Sequence, residues 1–477
     1  MEKIKKITME SFLYLYIILC PILDCLSFIF RNLYKTSISP STIIRPVCVL
    51  LVSLYVFIKD KKQRKIFIFA GLAYGIYAII HLYIFTTIQN RSSYGGIIHE
   101  LQYLVNYTFM ILNLYMYLYI LVKNKNTHKL YKCILISISI YIISIYLAII
   151  TGTSSYTYSL EEIGYKGWFE SGNSLSAIFT LSLFILLNIF KKNKLSNKIK
   201  KVTFVIILLI GIFLISLIGT RVGLLGFILA IGMFGIAHII YNIINKIAIR
   251  KILIISGIVT AVTMIVFTIV FTTYGSKTID RRKKVEEMAS KLVDETTNEK
   301  IHITGDMYKI KKQIEVGNIE QDYMSKEEQQ AVLSLNEIAK KYNLSTEDMR
   351  TLQLIYNIEL ANNQSNLIYR LFGNGYVCQY REMILEMEPL AIILNFGILG
   401  FVLYLIPFIS VYGYSVYKGI ICFRKIDTEY IMLVFGGGLA FVLSVLSGYI
   451  FFNASTTMII ILINVLLVNK TKEMKKS

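Results

Sequence analysis

The chain has 477 residues, 55% of them hydrophobic, and carries 50 Lys and Arg against 30 Asp and Glu for a net charge of +20. That apolar share, gathered into long runs, excludes an ordinary soluble domain. The basic surplus is scattered over short connections instead of forming one face, which excludes a nucleic-acid surface.

The apolar runs fall at 8–30, 41–59, 65–86, 100–122, 131–151, 171–190, 202–219, 222–243, 252–273, 384–410, 428–447 and 452–468. Each reaches or approaches the roughly 18–25 residues that cross a hydrocarbon core of about 30 Å. They are continuous rather than alternating with period two, so helices are predicted and a membrane β-barrel is not. The predicted fold is all-α and polytopic, with about 12 transmembrane helices and one large, partly helical extracytoplasmic loop. Three regions follow: spans one to nine over 1–272, the loop over 273–383, and spans ten to twelve with a basic tail over 384–477.

Orientation comes from the basic clusters. Lys3 to Lys6, Lys61 to Lys65, Lys123 to Lys129, Lys191 to Lys201, Lys246 to Lys251, Lys418 to Lys425 and Lys470 to Lys476 fall at every second connection. The positive-inside tendency then places both termini in the cytoplasm of a cell membrane and the 273–383 loop outside. The first run is too long for a cleaved signal core and reads as a retained anchor.

The loop holds 16 Lys and Arg against 17 Asp and Glu, and so is near neutral. Ser325 to Tyr342 and Ser345 to Asn362 read as helices from apolar residues at three- and four-residue spacing, with Ser345 and Asp348 as a capping pair. Arg281 to Val293 is a weaker third candidate. A long loop of this kind commonly serves as a lid or binding element.

Ionisable residues near spans are the functional clue, because a bilayer disfavours them without partners or water. Arg221 follows Ile218-Gly219-Thr220 at a sharp connection. Its guanidinium can grip a phosphate with two donors, or simply reach lipid headgroups. Glu382 and Glu386 are four apart on one predicted helical face beside Arg381, and Glu388 precedes Pro389. A carboxylate in a partly dry pocket can take a proton from an attacking hydroxyl; the plainer role is stabilising a helix start. Asp24 and Arg45 lie inside the first two spans and can neutralise each other or line a cavity. Asn173 opens the sixth span, and Arg370 with Arg381 flanks Leu371-Phe372-Gly373-Asn374-Gly375-Tyr376, a turn-rich return to the membrane. Stacking of Tyr165 to Phe169 on sugar rings is a further option. No metal-ligand spacing, nucleotide-binding loop or Ser-His-Asp order is present, so neither metal nor other cofactor is expected.

In this order the pieces resemble the bacterial O-antigen ligase and polymerase family. They are Pro21-Ile22-Leu23-Asp24, Ile43-Ile44-Arg45, Gly172 to Ala177, Ile218 to Arg221, Gly373 to Tyr376, Glu386-Met387-Glu388 and Asn395 to Gly400. The resemblance spans most of the chain and implies transfer of a glycan from an undecaprenyl-diphosphate carrier to a saccharide hydroxyl, without metal or nucleotide, in capsule or exopolysaccharide synthesis. It implies Arg221, with Arg45, Arg370 or Arg381, on the diphosphate, Glu382 and Asn173 along the substrate, and Glu386 or Glu388 as base. Ligases of the family use a histidine near the loop end. Spacing back from Gly397 and Gly400 places Glu386 there, which suits a polymerase or another branch. The competing class is a flippase or transporter of lipid-linked saccharides, whose polar residues would line a path through the membrane. A third is an envelope-assembly protein whose loop binds a partner.

Overall fold

The computed structural model describes residues 8–34, 39–88, 96–124, 127–158, 163–191, 196–245, 265, 268, 311, 314–317, 326–344, 349–362, 366–376, 385–448 and 450–475. In chain order these form α1 (Met9–Tyr34), α2 (Pro40–Lys59), α3 (Lys61–Tyr83), α4 (Gly96–Asn124) and α5 (Thr127–Ile150). A hairpin of β1 (Ser155–Tyr158) and β2 (Ile163–Gly167) leads into α6 (Gly172–Leu186), α7 (Asn197–Ile212) and α8 (Arg221–Ile244). Then come α9 (Lys326–Lys341), α10 (Met349–Asn362), α11 (Leu367–Phe372), α12 (Glu388–Tyr404), α13 (Ile406–Ile421), α14 (Thr428–Leu446) and α15 (Ala454–Met474). Among the described residues nine helices are long and apolar enough to span a membrane, and ten if α12 and α13 count as one broken span. The protein is an all-α polytopic membrane protein.

Several expectations change. Glu382 and Glu386 were to share a helical face, yet residues 385–387 are non-helical and α12 starts at Glu388. Pro389 explains this: its ring would clash with the carbonyl of residue 385 in a continuous helix, and it fits the first turn instead. The tenth span was to end at 410, but α13 continues to Ile421 after a break at Leu405, just ahead of Pro407. The hairpin was not expected. Both loop helices formed, as α9 and α10. The 252–273 span (apart from Ile265 and Thr268), the 281–293 candidate, the Ser345–Asp348 cap, Arg381 and Glu382 lie outside the described residues.

The chain divides into two compact units. One comprises Met1–Lys65, Phe109–Gly275 and Pro407–Ser477. Its centre is α6, whose described residues are buried almost without exception, in keeping with a segment apolar on every side. Gly223 and Gly226 let α8 approach α6: a Cβ at either would meet Ser176 Oγ at 3.1 Å or Thr180 Oγ1 at 2.3 Å. Small residues at helix crossings are the usual device inside bilayers, where close packing substitutes for hydrophobic drive. Gly436 of α14 similarly accommodates Phe184.

The second unit comprises Ile66–Thr108 and Ser276–Ile406. Here α11 packs on α12 through two facing glycines. Gly397 interrupts α12 with φ 70° and ψ −176°, and Gly373 (φ +83) sits opposite. A Cβ on Gly373 would stand 2.2 Å from Asn395 O, and one on Gly397 2.3 Å from Leu371 O. The break frees carbonyls that the following turn uses: Asn374 N–H donates to Leu394 O at 3.0 Å and Gly375 N–H to Asn395 O at 2.8 Å. Helices α9 and α10 pair beside them, with Val332, Leu335, Ala339 and Leu352 buried.

Candidate functional site

Within the first unit, the starts of three helices meet. Ser171 caps α6, Thr220 caps α8 and Asn453 caps α15, each side chain accepting from a first-turn N–H. Gly219, at φ +71, makes the tight turn that aims α8 here. Ser176 Oγ and Thr220 Oγ1 are 2.6 Å apart, and the Thr456 hydroxyl donates to Ser174 O at 3.4 Å. Helix N-termini carry partial positive charge and unsatisfied N–H groups, so a gathering of three favours anions.

Arg45 of α2 enters the same cluster. It is 7% exposed. One terminal nitrogen donates to Asp24 Oδ1 at 2.5 Å and to Ser455 Oγ at 2.8 Å. Asp24 Oδ2 accepts from Tyr141 at 2.6 Å and from Ser455 at 2.5 Å. The aspartate is thus shared between the guanidinium and two hydroxyls, and the guanidinium keeps donors to spare. Arg45 Nε is buried without a hydrogen-bond partner among the described residues, as are Ser174 Oγ and Thr157 Oγ1. Buried polar groups are rarely left so, and each such orphan costs about 1–3 kcal/mol unless a ligand or water meets it.

The hairpin lies on this cluster through its glycines. A Cβ on Gly164 would strike Ile218 O at 2.4 Å, and one on Gly172 would meet Thr157 Cγ2 at 2.6 Å. Arg31 pairs with Glu170 at 2.8 Å, with both side chains nearly half exposed. Lys166 donates to Glu170 O at 2.8 Å. Burial pushes the Lys166 ammonium below its ordinary range, against the opposing pull of Glu170.

Arg221 is the first residue of α8, although its side chain lies outside the described residues, and Asn173 is half-buried in the first turn of α6. Arg45, Asn173 and the Arg221 backbone therefore belong to one end of the first unit. The remaining described candidates belong to the second. Arg370 is exposed on α11, and Glu388 is 3% exposed at the head of α12. Glu386 pairs at 2.9 Å with Arg350 Nε from α10, each about one third exposed.

The sequence reading missed Arg350, Tyr141 and Ser455. The run Asn453-Ala454-Ser455-Thr456-Thr457 carried a readable signal, because such residues ahead of an apolar run mark a helix start. Arg350 and Tyr141 carried none, since their partners are distant in the chain.

A family profile described as O-antigen ligase like membrane protein matches residues 6–474. No curated protein and no solved structure gives a significant match. The chain belongs to the O-antigen ligase like family of membrane proteins, a family of membrane ligases in polysaccharide synthesis.

Proposed function

We propose that the protein transfers an oligosaccharide from an undecaprenyl-diphosphate carrier to a saccharide hydroxyl during synthesis of a cell-surface polysaccharide. The observation that carries this reading is the meeting of three helix starts, with Arg45 bonded to Ser455 at one of them and its Nε left without a partner among the described residues. Such a cluster suits a diphosphate, which offers several acceptor oxygens and negative charge in a small volume.

In the reaction the acceptor oxygen forms a bond to the anomeric carbon. The bond from that carbon to the diphosphate oxygen breaks, and its electron pair leaves with the lipid diphosphate. Arg45 and Arg221, with Asn173 and the helix starts, stabilise the charge that grows on the leaving group. Arg370 and Arg381 are further candidates for the phosphates, and Glu382 for the saccharide. The acceptor proton passes to a carboxylate, Glu386 or Glu388. Electrostatic stabilisation and one proton transfer suffice for this chemistry, so neither metal nor nucleotide enters. The basic connections orient the termini to the cytoplasm and 273–383 outside.

The test is to supply purified protein in liposomes with an undecaprenyl-diphosphate oligosaccharide and weigh the products. A ladder of repeat additions identifies a polymerase, and one addition to a supplied acceptor identifies a ligase. Movement of intact substrate across the bilayer would refute transfer and identify a flippase.

A further inference from the structure

The second unit contains a buried acid–base pair to which the proposed reaction gives no part. His81 of α3 and Glu100 of α4 are both fully buried side chains, with Nε2 and Oε1 2.7 Å apart. His81 Nδ1 faces Phe372 O at 2.7 Å. A carbonyl has no proton to give, so Nδ1 is the donor. The other Glu100 oxygen accepts from the backbone N–H of Tyr376 at 2.7 Å.

These contacts complete a full set of ties on one turn. The N–H of Gly373 goes to Tyr369 O, that of Asn374 to Leu394 O and that of Gly375 to Asn395 O, leaving Tyr376 for Glu100. The Tyr376 side chain is held from the same helix. Its ring stacks on Tyr103 at 3.7 Å between centroids, and its hydroxyl lies 2.7 Å from that of Tyr107. Glu100, Tyr103 and Tyr107 stand at i, i+3 and i+7, one face of α4. That face grips Tyr376 by backbone, ring and hydroxyl. The turn's bonds to Leu394 O and Asn395 O fasten it to α12, the helix whose first residue is Glu388.

We infer that Glu100, seated against His81, is a positioning residue that fixes the turn Gly373-Asn374-Gly375-Tyr376 on α12 and thereby the seat of the carboxylates at the head of that helix, Glu386 and Glu388. This rests on the base role given to those carboxylates above. The arrangement calls for hydrogen bonds of defined direction, not for charge. A glutamine at 100 would accept from Tyr376 through its oxygen and donate to Nε2 of a neutral His81. A leucine would leave both groups unpaired.

Four proteins decide the matter: wild type, Glu100→Gln, Glu100→Leu and Gly375→Ala. The last displaces the turn from its own side with both members of the acid pair still present, since its Cβ would lie 2.4 Å from the Phe85 ring and 3.3 Å from Glu100 Oε2 at a φ of +74. Transfer kinetics and hydrogen exchange of the Tyr376 amide are read together. Displacement of a reacting group by about 1 Å costs roughly 10²-fold. Glu100→Leu and Gly375→Ala should therefore lose about 30- to 100-fold in kcat, keep the donor KM within about twofold and exchange Tyr376 quickly. Glu100→Gln should keep kcat within about threefold and exchange slowly, because its hydrogen bonds persist. Loss in Glu100→Gln as deep as in Glu100→Leu would overturn the inference, since charge would then be what matters. Full kcat in Glu100→Leu or in Gly375→Ala, with Tyr376 exchanging quickly, would overturn it as well. If Glu100→Leu does not fold, Glu100→Gln and Gly375→Ala carry the decision. A wild type that exchanges Tyr376 slowly yet transfers nothing would remove the proposed reaction and leave the turn's anchoring intact.

Discussion

Removing the Arg45 charge alone and removing it together with that of Asp24 should have different consequences for stability and the same consequence for transfer. Arg45→Met strands Asp24 in the cluster. Breaking a buried ion pair by deleting one partner costs about 3–5 kcal/mol. Here Tyr141 and Ser455 still donate to Asp24, whose side chain is 25% exposed. Asp24 is therefore not left wholly unpaired, and the loss should fall at the low end of that range, about 3 kcal/mol. Asp24→Asn combined with Arg45→Met leaves a neutral cluster, and deletion of both charges is commonly near neutral for stability. Thermal unfolding in nanodiscs should therefore show a clear fall for the single variant and recovery in the double. Transfer should not recover. An arginine meeting the charge of a leaving diphosphate contributes as oxyanion donors do, so both variants should lose roughly 10²- to 10³-fold in kcat. A double variant that transfers at the wild-type rate would refute the diphosphate role and leave Arg45 as a structural partner of Asp24.

The facing glycines of the second unit give a sharper structural expectation. Gly373→Ala and Gly397→Ala each place a Cβ 2.2–2.3 Å from a backbone carbonyl at a positive φ, so each should lose at least about 2 kcal/mol of stability by thermal shift. Arg350→Ala should change stability by less than about 1 kcal/mol, because its pair with Glu386 is partly solvated. If Glu386 is the base, the same variant should lower kcat about tenfold by loosening the carboxylate, and an unchanged kcat would move the base role to Glu388. Lys166, held below its ordinary value of 10.5, binds its proton less well folded than unfolded. Stability should therefore rise with pH from the folded pKa up to about 10.5, and Lys166→Met should flatten that rise in pH-dependent unfolding.

The sequence made the membrane spans legible because length and apolarity are local properties of the chain. Eleven of the twelve expected runs correspond to described helices or to the bent α12–α13 pair, the 252–273 run lying outside the described residues, and α9 and α10 were visible from their periodicity. What escaped was contact between remote segments. Asp24 and Arg45 could be paired on paper because each was an anomalous charge inside a span. Tyr141 and Ser455, which complete the cluster, look like ordinary span residues. The hairpin was hidden for a related reason: strands of 4 and 5 residues are too short to give a period-two signal between two helices.

The carboxylate segment shows how one local rule, read one step further, changes the chemistry. Glu382 and Glu386 are at i, i+4, which puts them on one face only if a helix runs through both. Pro389 suits the first turn of a helix, and the helix here begins only at Glu388, with 385–387 non-helical. Glu386 therefore stands ahead of the helix start, where Arg350 can reach it, while Glu388 enters the first turn of α12 and is buried. The two carboxylates are two residues apart in sequence yet occupy different surroundings, one ion-paired and partly solvated, the other shielded. A single general base at this end of α12 is thus the more economical reading than a carboxylate pair acting together, and the kinetics of Glu386→Gln against Glu388→Gln would show one variant dead and the other impaired. Equal and partial losses in both would require a shared proton instead.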